Sequence, residues 1–171
     1  VFEYTDWRGY GIQRQRAQAH ASGEWILMLD ADAQLTPELC EAVKSVLRAH
    51  DQNKVYALPR LPWAFGRFIR HGGWYPDYVV RLYPRDKAAY GDEEVHEKLR
   101  FNKGLEVITL KGDLLHYTYR DLEHYLVKSA GYAAAWAEQR ERKGRQSSLT
   151  QGFLHGLVCF LRMYLVRLGF L

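Results

Sequence analysis

Two aspartates, Asp30 and Asp32, stand one alanine apart where the apolar run 25–29 ends, in "GEWILMLDADAQLTPEL". Alternate residues of an extended strand face the same side about 7 Å apart, and a tight turn brings them closer. Two carboxylates at that range repel unless a cation or a cationic side chain lies between them. A hard divalent ion with oxygen ligands, Mg2+ or Mn2+, shared with substrate phosphates is one solution. The other is that one aspartate caps the helix beginning near Pro37 while its neighbour is solvated.

A second constellation is "GDEEVHEKL", residues 91–99, where Asp92, Glu93, Glu94 and Glu97 surround His96. A carboxylate beside a histidine is how a general base is positioned and tuned. Glu97 and Glu94 are the candidate bases, with His96 as ligand or orienting partner; four ordinary surface charges are the alternative. His116 follows the apolar pair Leu114-Leu115. It becomes a metal ligand if its strand edge faces Asp30 and Asp32, and is a structural histidine otherwise. In residues 60–77, Trp63, Phe65, Phe68, Trp74 and Tyr75 interleave with Arg67, Arg70 and His71. Flat rings beside cations suit a sugar or a nucleotide base, and about half of these rings are expected in a core. Gly72 and Gly73 permit close backbone approach or positive φ.

The elements that must position these residues follow from pattern. A short helix is expected over 12–21, then a buried strand over 25–29. Thr36-Pro37 supplies a capping hydroxyl and a proline at the first helical position, and Leu39, Val43, Val46 and Leu47 form one buried stripe to about His50. Strands are expected over 55–58, stopped by Pro59, and over 78–83, 106–110 and 114–117. A long helix follows Thr118, with Leu122, Tyr125, Leu126, Ser129, Tyr132, Ala133 and Trp136 on one face. A last apolar helix covers about 149–168. Strands with intervening helices come first and helices last, which predicts an α/β fold with a helical extension.

Bulk properties agree with a globular chain. The 171 residues are 47% hydrophobic and 26% charged, and the net charge is +4, which excludes an extended disordered tail. Basic residues cluster at Arg140, Arg142, Lys143 and Arg145, suiting anionic partners. Cys40 and Cys159 form no disulfide framework or metal spacing, and both read as buried thiols in a reducing compartment. The chain begins at Val1 without methionine and ends on an apolar tripeptide, as an internal piece of a longer protein would.

With these residues in view, the chain resembles the family 2 glycosyltransferases, in particular bacterial lipopolysaccharide inner-core enzymes of the β-1,4-glucosyltransferase type. The resemblance is carried by "GYGIQRQRAQAHASGEWILMLDADAQLTPEL", "GRFIRHGGWYPDYVVRLYPRDKAAYGDEEVHEKL" and "LLHYTYRDLEHYLVKSAGYAAAWA". It implies a GT-A fold, with a partial catalytic domain over 1–118, a C-terminal helical extension over 119–171 and a first nucleotide-binding unit lying before Val1. It further implies a nucleotide-sugar donor, UDP-glucose, and a divalent metal held by Asp30 and Asp32 with His116 near it. An inverting displacement would use Glu97 or Glu94 as base. Trp74, Tyr75, Asp77, Gly73, His96 and Arg81 are the implied substrate contacts, and the acceptor is a lipid-linked or lipopolysaccharide-core glycan. Ala33 departs from the pattern, since these enzymes usually carry glutamate there.

Two other readings use the same residues. A metal-dependent nucleotidyltransferase or phosphoesterase would need a phosphate-binding glycine or lysine motif or further carboxylates for two metals, and neither is present. A nucleic-acid-binding module would need its basic residues on one face, yet they are spread over three regions and the 91–99 segment is acidic. No nucleic acid is therefore expected. The segment "FLHGLVCFLRMYLVRLGFL" is nearly long enough to span a bilayer, but Arg162 and Arg167 oppose spanning. A helix in the membrane interface or packed on the core fits better; the expected location is the cytoplasm, and the first alternative, suited to a lipid-linked acceptor, would make the protein peripheral on the inner membrane's cytoplasmic face.

Overall fold

The computed structural model describes residues 2–91, 99–144 and 148–170. The elements run α1 (Tyr10–Ala19), β1 (Trp25–Leu27), β2 (Ala33–Leu35), α2 (Pro37–Ala49), β3 (Lys54–Ala64), β4 (Arg67–Phe68), β5 (Asp77–Pro84), β6 (Ala88–Tyr90), β7 (Leu99–Phe101), β8 (Glu106–Thr109), β9 (Leu114–Tyr119), α3 (Leu122–Arg142) and α4 (Leu149–Leu161). A π-helical turn, Arg162–Val166, continues α4. Among the described residues seven strands form a mixed sheet in the order β1-β5-β3-β9-β2, with β4 and β8 also on β3, and β6 pairs with β7. β8 runs parallel to β3 while β1 runs antiparallel to β5. This is the expected α/β class, a GT-A-like mixed sheet with helices.

The chain divides into two compact units, residues 1–59 with 78–114, and residues 60–77 with 115–171. In the first, side chains alternate along each strand and feed two cores. Leu39, Val43 and Val46 of α2 meet Tyr56, Leu58, Leu82 and Leu114, with Trp25 and Leu27 packed alongside. Ile26, Val55 and Tyr83, one residue out of phase, join Met28, Ala88 and Tyr90 in the second core. That is the period of two expected of a sheet covered on both faces.

α2 begins where the sequence places it. Thr36 Oγ1 accepts from Leu39 N at 3.4 Å and from Asp113 N at 3.0 Å, while Thr36 N donates to the Asp113 carbonyl at 3.0 Å. Leu47, expected in the buried stripe, is 42% exposed; at i+4 from Val43 it falls past the edge of the face that Leu39, Val43 and Val46 fill. α1 is held differently. Only Gly11 is buried in it, and it is fixed by Gln15 Nε2 donating to the Tyr90 carbonyl at 2.7 Å and Gln18 Nε2 to the Ala88 carbonyl at 2.8 Å.

Several expectations are corrected. β3 runs through Pro59 instead of stopping there. Its pairing with β8 ends at Ala57 and its pairing with β4 starts at Trp63, so the proline lies between these two registers, in a strand that β5 and β9 also flank. β1 is shorter than predicted and ends at Leu27. In the second unit, α3 forms as predicted, but none of its residues is buried, and Leu122 and Leu126 are exposed. α4 likewise has no buried residue, so core packing is not what its apolar side chains do. Cys40 is half-buried and Cys159 exposed, where burial of both is expected.

Candidate active site

The chain leaves β1 through a backbone step that Arg81 controls. Leu27 pairs with Leu82, and Met28 N then donates to the Arg81 carbonyl at 2.8 Å. Two residues on, Asp30 is held by both carboxylate oxygens. Oδ1 accepts from Arg14 Nη2 at 2.6 Å, and Oδ2 from Arg81 Nη2 at 2.8 Å. Arg81 is only 6% exposed, and its Nη1 donates to Tyr90 Oη at 3.1 Å. The Arg14 guanidinium lies 5.1 Å over the same Tyr90 ring. Buried charges persist when paired and hydrogen-bonded, and the buried Arg81 guanidinium has both Asp30 and Tyr90 as partners. The partner the Asp30 charge demands is in the first place cationic side chains.

Asp32 stands differently. Ala33 N donates to the Asp30 carbonyl at 3.0 Å, so residues 30–33 form a β-turn with Asp32 at its third position, and β2 begins at Ala33. The pair is thus on a turn and not in an extended strand. Neither aspartate caps α2, because Thr36 does. Among the described residues no group of three or more His, Cys, Asp or Glu could hold a metal. Hard ions are commonly bound through one or two carboxylates plus substrate phosphates, and of this pair Asp30 already has both oxygens engaged by guanidiniums.

Asp30, Asp32 and Arg81 belong to the first unit; His116, Gly73, Trp74, Tyr75 and Asp77 to the second. His116 Nδ1 lies 2.7 Å from Thr118 Oγ1, which also reaches the His116 carbonyl at 3.2 Å. The Asp77 carboxylate accepts from Arg60 Nε at 2.9 Å and also from its Nη2. Trp74 lies edge-on to Tyr119 at 6.1 Å, and the Arg70 guanidinium sits 5.3 Å over Tyr75. Gly72 and Gly73 adopt φ of 67° and 78°, the left-handed region that favours glycine, and Gly72 N donates to the Arg167 carbonyl at 2.7 Å.

The loop aromatics pack on one another instead of in a core. Trp63 meets Phe68 and Tyr117 at 4.9 and 6.2 Å, and Phe65 stacks on Tyr119 at 6.5 Å. None of the five rings is fully buried, where about half are expected. Burial lifts the Tyr119 phenol above the usual tyrosine range, with Tyr125 adding to the effect. Glu94, Glu97 and His96 lie outside the described residues.

Sequence reasoning misses Arg14, Tyr90 and Arg60. Arg14 had a signal: Gly11, Arg14, Gln15 and Gln18 recur at helical spacing, a polar stripe where an apolar one is usually sought. Residues 2–107 match the family model "Glycosyl transferase family 2". The chain is 28% identical over 169 residues to the "Lipopolysaccharide core biosynthesis glycosyltransferase LpsC" of Rhizobium meliloti (strain 1021), covering 95% of this chain and 60% of the relative. Uncharacterized glycosyltransferases of Rickettsia prowazekii (strain Madrid E) and Rickettsia typhi (strain ATCC VR-144 / Wilmington) are 24% and 23% identical, over 94% of this chain and 58% of theirs. The chain spans about three fifths of the length of these curated relatives. The family match takes in the whole Arg14–Asp30–Arg81–Tyr90 cluster and more than half of the sequence, and the chain belongs to glycosyl transferase family 2.

Proposed function

We propose that this chain carries the metal and acceptor parts of an inverting hexosyltransferase that moves glucose from UDP-glucose to a lipopolysaccharide-core or related lipid-linked glycan. Family membership and the likeness to an enzyme named for lipopolysaccharide core biosynthesis support the reaction class. The observation that carries the reading is the Asp30 clamp: two guanidiniums fix one carboxylate at the head of a turn that presents a second.

In this reading an acceptor hydroxyl attacks the anomeric carbon, its oxygen forms the new glycosidic bond, and the nucleoside diphosphate leaves with the bonding pair. Asp32 and Asp30 would hold Mg2+ or Mn2+, which when bound supplies Lewis-acid stabilisation of the departing diphosphate. Arg14 and Arg81 act through Asp30 as positioning residues. Glu97 or Glu94 takes the hydroxyl proton, a contribution of roughly 10²–10⁴-fold. His116 as helper ligand, and Gly73, Trp74, Tyr75, Asp77, His96 and Arg81 as substrate contacts, rest on the family resemblance.

The test is thermal unfolding of the full-length protein with UDP-glucose and manganese together. At a donor concentration about 100-fold above Kd, roughly 2.7 kcal/mol of added stability is expected. Asp32→Asn should abolish both this protection and sugar transfer while circular dichroism stays native. Protection retained in that variant, or protection by nucleic acid instead, would overturn the reading.

A further inference from the structure

The end of the second unit joins three features that the transfer chemistry does not use. Residues 149–166 form one helical stretch with mean hydropathy 1.3, and none of it is buried. Phe153, Val158 and Val166 are between 61% and 74% exposed. From Arg142 to Leu171 the sequence carries Arg142, Lys143, Arg145, Arg162 and Arg167 but no aspartate or glutamate. Beside the helix, Cys159, Phe160, Met163 and Tyr164 line a cavity of about 590 Å³, closed on its other side by Phe65, Phe68 and Trp74 with Arg67, Arg70 and His71.

An apolar face this exposed needs an occupant, and the charge pattern says which. A second copy of this chain would bring the same cations against these. A lipid surface bearing phosphates would meet them with opposite charge, at about 1 kcal/mol per arginine near the surface. The helix is short for a span: 18 residues at 1.5 Å rise reach about 27 Å, against a hydrocarbon core of about 30 Å. Arg162 falls inside it, which spanning resists and an in-plane helix tolerates.

We infer that the helix from Leu149 to the π-helical turn lies in the interface of an anionic phospholipid leaflet, and that the neighbouring cavity takes one acyl chain, its phosphate held by Arg67, Arg70 and His71. The cavity is mostly apolar, with Arg67, Arg70 and His71 set among the aromatic rings of its loop wall, a lining that suits an amphiphile.

Flotation of the whole chain with phosphatidylcholine vesicles, with and without phosphatidylglycerol, tests the surface. Strong binding only with phosphatidylglycerol is expected, and R162Q/R167Q should weaken it at least ten-fold, from roughly five-fold per arginine. Phosphatidylglycerol brominated along its acyl chains should quench the tryptophan fluorescence, and Trp74→Phe should remove most of that quenching while flotation persists. No flotation, indifference to the two arginines, or a concentration-dependent dimer that excludes vesicles overturns the surface assignment. Quenching unchanged by Trp74→Phe overturns the cavity assignment. Flotation needs neither donor nor metal, so this inference and the transfer reading fail separately.

Discussion

Arg81 meets two demands at once: its carbonyl closes the ladder to Met28, and its guanidinium joins Asp30 to Tyr90. Arg81→Met keeps the length and removes the charge, leaving Asp30 with Arg14. Breaking a buried ion pair typically costs ~3–5 kcal/mol. Since the Asp30 side chain is 29% exposed, solvent recovers part of this, and urea unfolding should show a loss of about 2–3 kcal/mol. Adding Tyr90→Phe should cost less than the sum of the two changes, because both touch one network. The place of the aspartates, on a turn ahead of the capped helix α2, was legible because it is a local pattern. Their partners were not. Arg14 and Arg81 lie 16 and 51 positions away from Asp30, and no local pattern reports a pairing made by tertiary folding.

The turn between β8 and β9 is bound to the start of α2 more tightly than either element's own sequence suggests. At Gly112, with φ of 88°, an added Cβ would fall 2.4 Å from Leu39 N and 2.8 Å from Leu39 Cα, both backbone atoms. Gly112→Ala therefore forces α2 to shift and adopts a disfavoured φ, and thermal unfolding should register a loss above roughly 3 kcal/mol. Thr36→Ala removes the cap and the acceptor for Asp113 N, for about 1–2 kcal/mol. β5 offers a pH test. Burial pushes the Tyr83 phenol far above the usual tyrosine range, with Tyr90 adding to it, so folding favours the neutral form. That contribution is whole below the unfolded pKa near 10 and is lost as pH rises beyond it. Unfolding free energy should fall more steeply above about pH 10 in the native chain than in Tyr83→Phe. Elements with local signals, α2 above all, were readable; the continuation of β3 past Pro59 was not, because it depends on the strands that flank β3 in the sheet. The helix α3 was readable, but of the face expected for it Leu122, Leu126, Tyr132 and Trp136 are exposed, since periodicity cannot say whether a stripe finds a partner.

Across the whole molecule the balance is basic, with a net charge of +4 and a pI of about 9.0. Binding to anionic vesicles should accordingly weaken several-fold on going from 0.1 M to 1 M salt, as the screening length falls from about 10 Å to about 3 Å. Salt-independent flotation would assign the attachment to apolar contact alone. Composition and order of elements were enough to read the α/β class. They could not reveal that the chain condenses into two units, one of which takes residues 60–77 out of the middle of the other. That excursion starts at Arg60 and ends at Asp77, and these two residues are ion-paired to each other. The ion pair draws the two ends of the segment together, while β3 and the rings of Trp63 and Phe65 hold its interior, and loop-closure entropy changes slowly with length. Replacing 61–76 with the corresponding stretch of a relative, while keeping the clasp, should leave the scaffold around Asp30 folded. Exchange of the aromatic surface is therefore expected to succeed only where Leu61 and Ala64, both buried in β3, are retained with the clasp.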